Sequence, residues 1–329
     1  MRFSLTYSLV VALVGLPAGV CAQEPPVVSS ETFESWMSEL SNWGRWGDGD
    51  QLGTLNLITQ QKRVEAARLV ESGVSISLAR NLETGAPPDS TYHPLEHKMH
   101  YTGIEPLAEM YSEDSFSLRY HGLGHSHLDA LCHAFHEGRM YNGFDQTMVT
   151  DGGCQALSVV NSSQGFFTRG VLIDIPWLKD LPYLESATAI FPEDLDAWAT
   201  KTGVEIDPGD VVLIRTGRWG RPDAEGLLDT YDSLAGLHAS SVEWLRNRDV
   251  AAVGTDAGSD VLPSRVEGQW APVHKLLLVA MGTPIFDNLD LEELSREAKR
   301  QGRWIFLFTV APLRIPGGTG SPLNPIATF

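Results

Sequence analysis

Pro208-Gly-Asp-Val-Val-Leu-Ile-Arg-Thr-Gly217 places four consecutive aliphatic residues, Val211 to Ile214, between two turn signals. A short, unbroken apolar run of this kind reads as a buried strand. Outward from it, Gly170-Val-Leu-Ile-Asp-Ile175 reads the same way, and Val250-Ala-Ala-Val-Gly-Thr-Asp256 reads as a strand running into a loop. Val74 to Leu78 alternates as a strand should, and Trp304 to Val310 closes the series. Helical segments fall between these runs. A short helix is expected around Phe33 to Leu40, and Thr59 is placed to cap a helix through Val70 that ends at Gly73. Pro192 to Trp198 opens another helix, and Ser240 to Arg246, Val273 to Met281 and Asp290 to Arg300 complete the set. Strands and helices mix without strict alternation, and composition does not break between about 40 and 325. The expected fold is a single α/β domain, residues 41–329, with a mixed β-sheet flanked by helices. A polar lead-in, residues 23–40, precedes it.

The formal charge of −18 over 329 residues excludes a nucleic-acid binder, which needs a basic surface, and disfavours anionic lipid. Residues 1–22 read as a signal peptide: Arg2 supplies the positive end, Leu9 to Val20 the apolar stretch, and Val20-Cys21-Ala22 the small residues before cleavage. The mature chain would then be secreted or periplasmic and carry no membrane span. Cleavage also removes Cys21, leaving Cys132 and Cys154, which are read as unpaired structural residues. Asn161-Ser-Ser163 is a formal glycosylation sequon. Residues 83–118 are turn-rich, as a long surface excursion would be. Gly317-Gly-Thr-Gly320 lacks the ending of a phosphate loop, and there is no Gly-x-Ser-x-Gly elbow, so nucleotide-binding and serine-hydrolase readings fall away.

Five of the ten histidines lie within sixteen residues: His121, His125, His127, His133 and His136. In an extended segment, side chains at i, i+2 and i+4 share a face, so His125, His127 and Asp129 would converge. Imidazole with carboxylate suits a divalent metal ion such as zinc or manganese. The alternative is a polar strand with solvated histidines. His274, in a mainly apolar helix, reads on its own as a core histidine, and Asp287 as a turn or cap residue ahead of the helix at Asp290. Trp43-Gly-Arg-Trp46-Gly-Asp-Gly-Asp50 is either a loop packed on its own aromatics or part of a substrate wall. Trp219 has the same two readings.

His127-Leu-Asp129-Ala-Leu-Cys-His133 resembles the His-x-Asp-x-x-x-His core of the cyclase-type metal-dependent hydrolases, which include bacterial kynurenine formamidase and isatin hydrolase. Trp43-Gly-Arg-Trp-Gly, Gly53-Thr-Leu-Asn56, Thr168 to Asp174, Pro208 to Gly217, Gly254-Thr-Asp256 and Gly320-Ser-Pro322 extend the resemblance over most of the mature chain. It implies a cyclase-like fold of the swivelling β/β/α type and a homo-oligomer. It also implies His127, Asp129, His274 and Asp287 as metal ligands and His133 as proton donor and acceptor. Asp287 stands where the family often has Glu. Leu123 stands where the family has its first histidine, and His125-Ser126 replaces a Gly-Thr pair. His125 or His121 could compensate, and strand geometry favours His125; His121 and His136 are otherwise expected behind the ligands or solvated, and one metal ion is the preferred reading.

A bound divalent ion lowers the pKa of its water toward 7 and polarises a carbonyl. A histidine such as His133 can take a proton from that water and return it to a leaving group. The expected function is thus hydrolysis of a small cyclic or aryl amide, lactam or lactone. The rivals are a lyase or dehydratase on the same site, and a metal-free binding protein.

Overall fold

In the computed structural model, which describes residues 27–85, 93–104, 111–221 and 231–329, Val211–Arg215 is a strand over the expected residues, buried along its whole length. It lies between two parallel neighbours, and strands covered on both faces are continuously apolar for that reason. Nine strands form one mixed sheet: β1 (Ser75–Ser77), β2 (His127–Asp129), β3 (Phe166–Asp174), β4 (Val211–Arg215), β5 (Ala252–Thr255), β6 (Ile285–Asp287), β7 (Ile305–Val310), β8 (Gly320–Pro322) and β9 (Ile326–Thr328). Their order is β1-β9-β7-β3-β4-β5-β6-β2-β8. Strands β3 to β6 run parallel to one another, and every other pairing is antiparallel. This is the single mixed α/β domain expected from the sequence.

Helices flank the sheet: α1 (Ser30–Glu39), α2 (Gln60–Ala67), α3 (Pro192–Thr202), α4 (Ser241–Arg246) and α5 (Glu292–Gln301). Thr59 caps α2, its side-chain oxygen accepting from the Lys62 amide at 3.1 Å. That helix ends at Ala67, earlier than Val70, and Arg68 to Gly73 form turns instead. Helix α2 packs on β3 and β7, while α3 and α5 pack on β3. The segment expected to be helical from Val273 runs from Pro272 to Met281, but from Lys275 on it is wound as a π-helix. The 83–118 excursion contains an antiparallel hairpin, Glu96–Tyr101 with Glu113–Ser117. The remainder of that excursion, and the signal segment, lie partly or wholly outside the described residues. Asn161 of the sequon donates its side-chain amide to Gln51 Oε1 at 3.0 Å, an internal contact that a glycan would have to displace.

The cysteine expectation is corrected. Cys132 and Cys154 form a disulfide with Cα atoms 6.5 Å apart. Cys132 leads out of β2, and Cys154 is held opposite by its amide bond to the Gly317 carbonyl at 2.8 Å. Spacing in sequence carried no sign of this, because the pairing depends on the return of the chain after 22 residues. Closing a loop of that length stabilises by about 3 kcal/mol in the chain-entropy account. Cys154→Ser should lower the unfolding free energy by about that amount, and the loss should match what reductant does to the wild type. Equal denaturation midpoints with and without reductant would show that the bridge contributes nothing.

Candidate active site

Strand β2 presents His127 and Asp129 on one face, two residues apart. Its neighbour β6 sets Asp287 directly opposite His127, and on the other side β8 sets Gly320 opposite Asp129. A Cβ on Gly320 would collide with the Leu128 carbonyl and press on the His121 ring, so this position leaves room for His121 to fold over the strand. Helical residue His274 closes the group from above the sheet. The 256–263 loop after β5 brings Asp260 behind it, at the carboxyl end of a parallel strand where open α/β sheets place their ligands.

Asp129 is the hub. Its Oδ1 lies 2.9 Å from His121 Nδ1 and 3.4 Å from His127 Nε2. Its Oδ2 lies 3.5 Å from His274 Nε2 and 3.8 Å from His133 Nε2. His274 Nε2 is also 3.3 Å from Asp287 Oδ2. Behind this inner group, a second oxygen or hydroxyl holds three of the imidazoles. His127 Nδ1 bonds the His125 carbonyl at 2.7 Å, His274 Nδ1 bonds Asp260 Oδ2 at 2.6 Å, and His121 Nε2 meets Thr319 Oγ1 at 2.9 Å. Ser259 donates to Asp287 Oδ1 at 2.7 Å. No such bond holds the His133 ring among the described residues; it stacks on His121, with centroids 4.0 Å apart and planes 10° from parallel.

These outer bonds decide which nitrogens carry protons. A carbonyl only accepts, so His127 must donate from Nδ1. Asp260 accepts from the Val273 and His274 amides, so His274 also donates from Nδ1. In the neutral ring, each then turns the Nε2 lone pair toward carboxylate oxygens. Acceptors facing acceptors require a cation between them. His121 Nδ1 and Asp129 Oδ1 show the same signature, being close together, buried, and out of line for a hydrogen bond. The spacing fits a metal: ligands 2.0–2.1 Å from a tetrahedral ion stand roughly 3.3 Å apart. Charge-assisted hydrogen bonds would be shorter, about 2.7–2.9 Å. The donor set therefore fits a divalent ion. Within this cluster two groups of donors lie close enough to hold one, His121 with Asp129 and His133, and His127 with Asp129 and Asp287; a third group, Glu34, His136 and Glu137, lies outside it.

Without a metal, protons take that place. Burial works against charge on His274, but Asp129, Asp260 and Asp287 outweigh it and hold the imidazole well above its usual value. His127 is raised in the same way, burial being overcome by Asp129 and Asp287. Asp129 is buried too, yet the four surrounding imidazoles, His133 first, hold it well below the usual carboxylate range. His133 behaves oppositely. Burial takes it down to about 4, the other imidazoles adding to the fall against the pull of Asp129. At neutral pH His133 is an uncharged base.

Of the expected site residues, His127, Asp129, His133, His274 and Asp287 come together, and His125 does not. The strand begins at His127, so the alternation that would align residue 125 does not extend to it. His125 Nε2 instead bonds the His93 carbonyl at 2.8 Å, at the base of the hairpin. His121 occupies the place beside Asp129 that was expected of His125. His136 points away, to Glu34 at 2.9 Å. Sequence reasoning gave no role to Asp260, Thr319 or Asn288. Asn288, in the left-handed region at φ 57°, donates to the Gly122 and His125 carbonyls and so ties the histidine loop to β6. None of the three has a local signature, because each acts on a residue of another element or of a distant turn.

The cluster floors a cavity of about 570 Å³ whose walls include Leu123, Phe135, Tyr231, Leu234, Leu262 and Trp270. The Trp43–Asp50 loop is not among the lining residues. Trp43 Nε1 donates to the Val279 carbonyl at 2.7 Å and Asn42 Nδ2 to the Met281 carbonyl at 2.9 Å, satisfying the end of the π-helix that follows His274. Trp219 likewise serves packing, donating to the Leu289 carbonyl at 2.9 Å. Trp43→Phe should cost about 1–3 kcal/mol of stability by orphaning a carbonyl, with little change in KM. A raised KM at unchanged stability would instead make Trp43 a substrate contact.

The family model described as "Putative cyclase" matches residues 59–259. The chain belongs to this cyclase family. His274 and Asp287 lie beyond the matched residues and join the site only through the fold. A crystal structure described as a novel cyclase is 31% identical, covers 88% of this chain and 98% of its own, and superposes with a TM-score of 0.78. Isatin hydrolase A from Ralstonia solanacearum is 22% identical over 82% of this chain and 97% of its own, with a TM-score of 0.57. Isatin hydrolase A from Labrenzia aggregata, bound to benzyl benzoate, is 21% identical over 80% and 94%, also at 0.57. At that identity the isatin hydrolases share the fold. No curated protein sequence matched. No helix among the described residues is long and apolar enough to cross a membrane.

Proposed function

We propose that this cyclase-family protein is a metal-dependent hydrolase of a small cyclic or aryl amide, lactam or lactone, related in reaction type to kynurenine formamidase and isatin hydrolase. The observation that carries this reading is the set of acceptor atoms on His121, His127, Asp129, His274 and Asp287 turned toward one another at metal-ligand spacing. Zinc and manganese both suit imidazole and carboxylate donors. When bound, such an ion supplies Lewis acidity for the scissile carbonyl and for water. Family membership and the isatin hydrolase fold agree with that chemistry.

The protein's own groups divide the remaining work. His127 and His274 are locked in one tautomer by the His125 carbonyl and Asp260, which fixes ring orientation and raises ligand basicity. His133 is uncharged, about a third exposed to the cavity and held by no outer bond among the described residues. It is therefore the imidazole free to accept a proton from attacking water at Nε2 and to pass it to the departing nitrogen or oxygen. The apolar walls hold the organic part of the substrate and limit water.

We further propose that the chain is exported, with residues 1–22 removed. The Cys132–Cys154 bridge supports this, since disulfides persist in oxidising compartments.

Elemental analysis of the purified protein is the first test, followed by assays on N-formyl aryl amines, isatin-like lactams and lactones in ¹⁸O-labelled water. About one or more equivalents of divalent metal, activity lost to chelator and restored by metal, and label in the product carboxylate are expected. No metal bound or retained on reconstitution would overturn the reading. Turnover without label would move it to a lyase.

A further inference from the structure

We propose that Lys275 selects for substrates bearing an anionic group next to an aryl ring, with an aryl carboxylate as the ligand class. This rests on the hydrolase reading for the position of the reacting bond, though not for the binding itself.

The floor of the cavity is carboxylate and imidazole, and its walls are apolar. Among the described residues Lys275 is the one lysine or arginine that lines it. The chain carries 42 acidic residues against 24 basic ones, and several of its half-buried or buried cations are paired with carboxylates. Lys62 meets Asp210 at 2.6 Å, Arg169 meets Asp207 and Asp210 at 2.6 Å, and Arg215 meets Asp174 at 2.9 Å and Glu292 at 2.8 Å. Lys275 is different. Its Nζ donates to Gln269 Oε1 at 2.6 Å, a neutral amide, and no described carboxylate lies within ion-pair range. A cation with no carboxylate partner, in a cavity it shares with apolar walls, offers a charge-assisted contact to an anionic ligand.

Placement gives the rest of the ligand. Lys275 lines the same cavity as His274, Asp129 and Asp287, so one small ligand can span the ammonium and the metal-ligating group. Tyr231 and Trp270 line the cavity as well, with ring centroids 5.8 Å apart and planes 49° from parallel, and Trp270 is 60% exposed. An exposed indole face of this kind takes an aryl ring by stacking. An aryl ring on Trp270 with a carboxylate at Lys275 would keep its amide or ester in the cavity that the Asp129 cluster floors. Gln269 holds the ammonium in place before the substrate binds, and Ser264 Oγ donates to the Gln269 carbonyl at 2.5 Å, bracing that loop.

The competing account is that Lys275 only fastens the Gln269 loop to the helix. A matched substrate set separates the two. The metal-loaded enzyme and its Lys275→Met and Lys275→Arg variants are assayed with formanilide and with the 2-, 3- and 4-formamidobenzoates. Binding of the same compounds is followed by titration calorimetry. For the wild type, at least one formamidobenzoate should exceed formanilide in kcat/KM or affinity by roughly tenfold or more, the size of one charge-assisted contact. Lys275→Met should abolish that ratio, and Lys275→Arg should retain part of it. A wild type without the preference, or a ratio that Lys275→Met leaves intact, overturns the proposal; the latter outcome means the carboxylate goes to the metal. Lys275-dependent binding without turnover would keep the inference and remove the amide-hydrolase reading for these compounds.

Discussion

Asp129→Asn should reduce kcat/KM by about 10³-fold or more and strip the protein of its metal, while the chain stays folded. All four imidazoles of the site converge on this carboxylate, at 2.9 to 3.8 Å. Both groups of donors in this site able to hold an ion include it, so neither is complete after its removal; the separate Glu34, His136 and Glu137 group lies outside the site. Metal catalysis contributes several kcal/mol of transition-state stabilisation, and each 1.36 kcal/mol is about tenfold in rate. The amide of Asn offers one neutral acceptor and directs N–H groups at His121 or His274, so it cannot replace the carboxylate. Metal content by elemental analysis and folding by circular dichroism read the two effects separately. A variant that keeps both metal and activity would show that the cluster is an ion-pair network and not a metal site.

His133→Gln should give the opposite pairing of results. Turnover should fall by about 10²–10⁴-fold, the usual contribution of a general acid–base group, with metal content retained. The reason lies in the outer bonds. His121, His127 and His274 are each fixed through their second nitrogen, as metal-ligating histidines are, whereas His133 is not. His133 nonetheless stands near His121 and Asp129, close enough to complete a ligand set. Loss of metal together with activity in His133→Gln would make it a ligand and leave the proton-transfer role without an occupant. The Asp129 and His133 variants therefore sort the two roles by metal content alone.

Much of the fold was legible because the central strands are parallel and covered on both faces. Val211–Ile214 and Gly170–Ile173 carry no polar side chain, and such runs announce themselves. Helix ends were less legible. Thr59 marked the start of its helix through a side-chain cap, but nothing local forced the stop at Ala67. The π-helical winding after His274 was not legible either, since it depends on Trp43 and Asn42 arriving from the N-terminal loop to satisfy its carbonyls.

In the site the division follows the same physical line. His127 and Asp129 were readable from sequence because a strand repeats every two residues, so spacing fixes a shared face. The composition of the histidine stretch pointed to metal for the same reason. What spacing could not decide was which further histidine joins them. His125 has the right parity, but the strand begins after it, and its ring turns to the His93 carbonyl. His121 lies outside any repeat and arrives because a turn folds it over Gly320. The partnership of Asp260 with His274, of Asp287 with His127 across two strands, and of Cys132 with Cys154 belongs to the tertiary structure alone. Each joins residues whose separation in sequence carries no period, and only closure of the sheet and its loops brings them within reach.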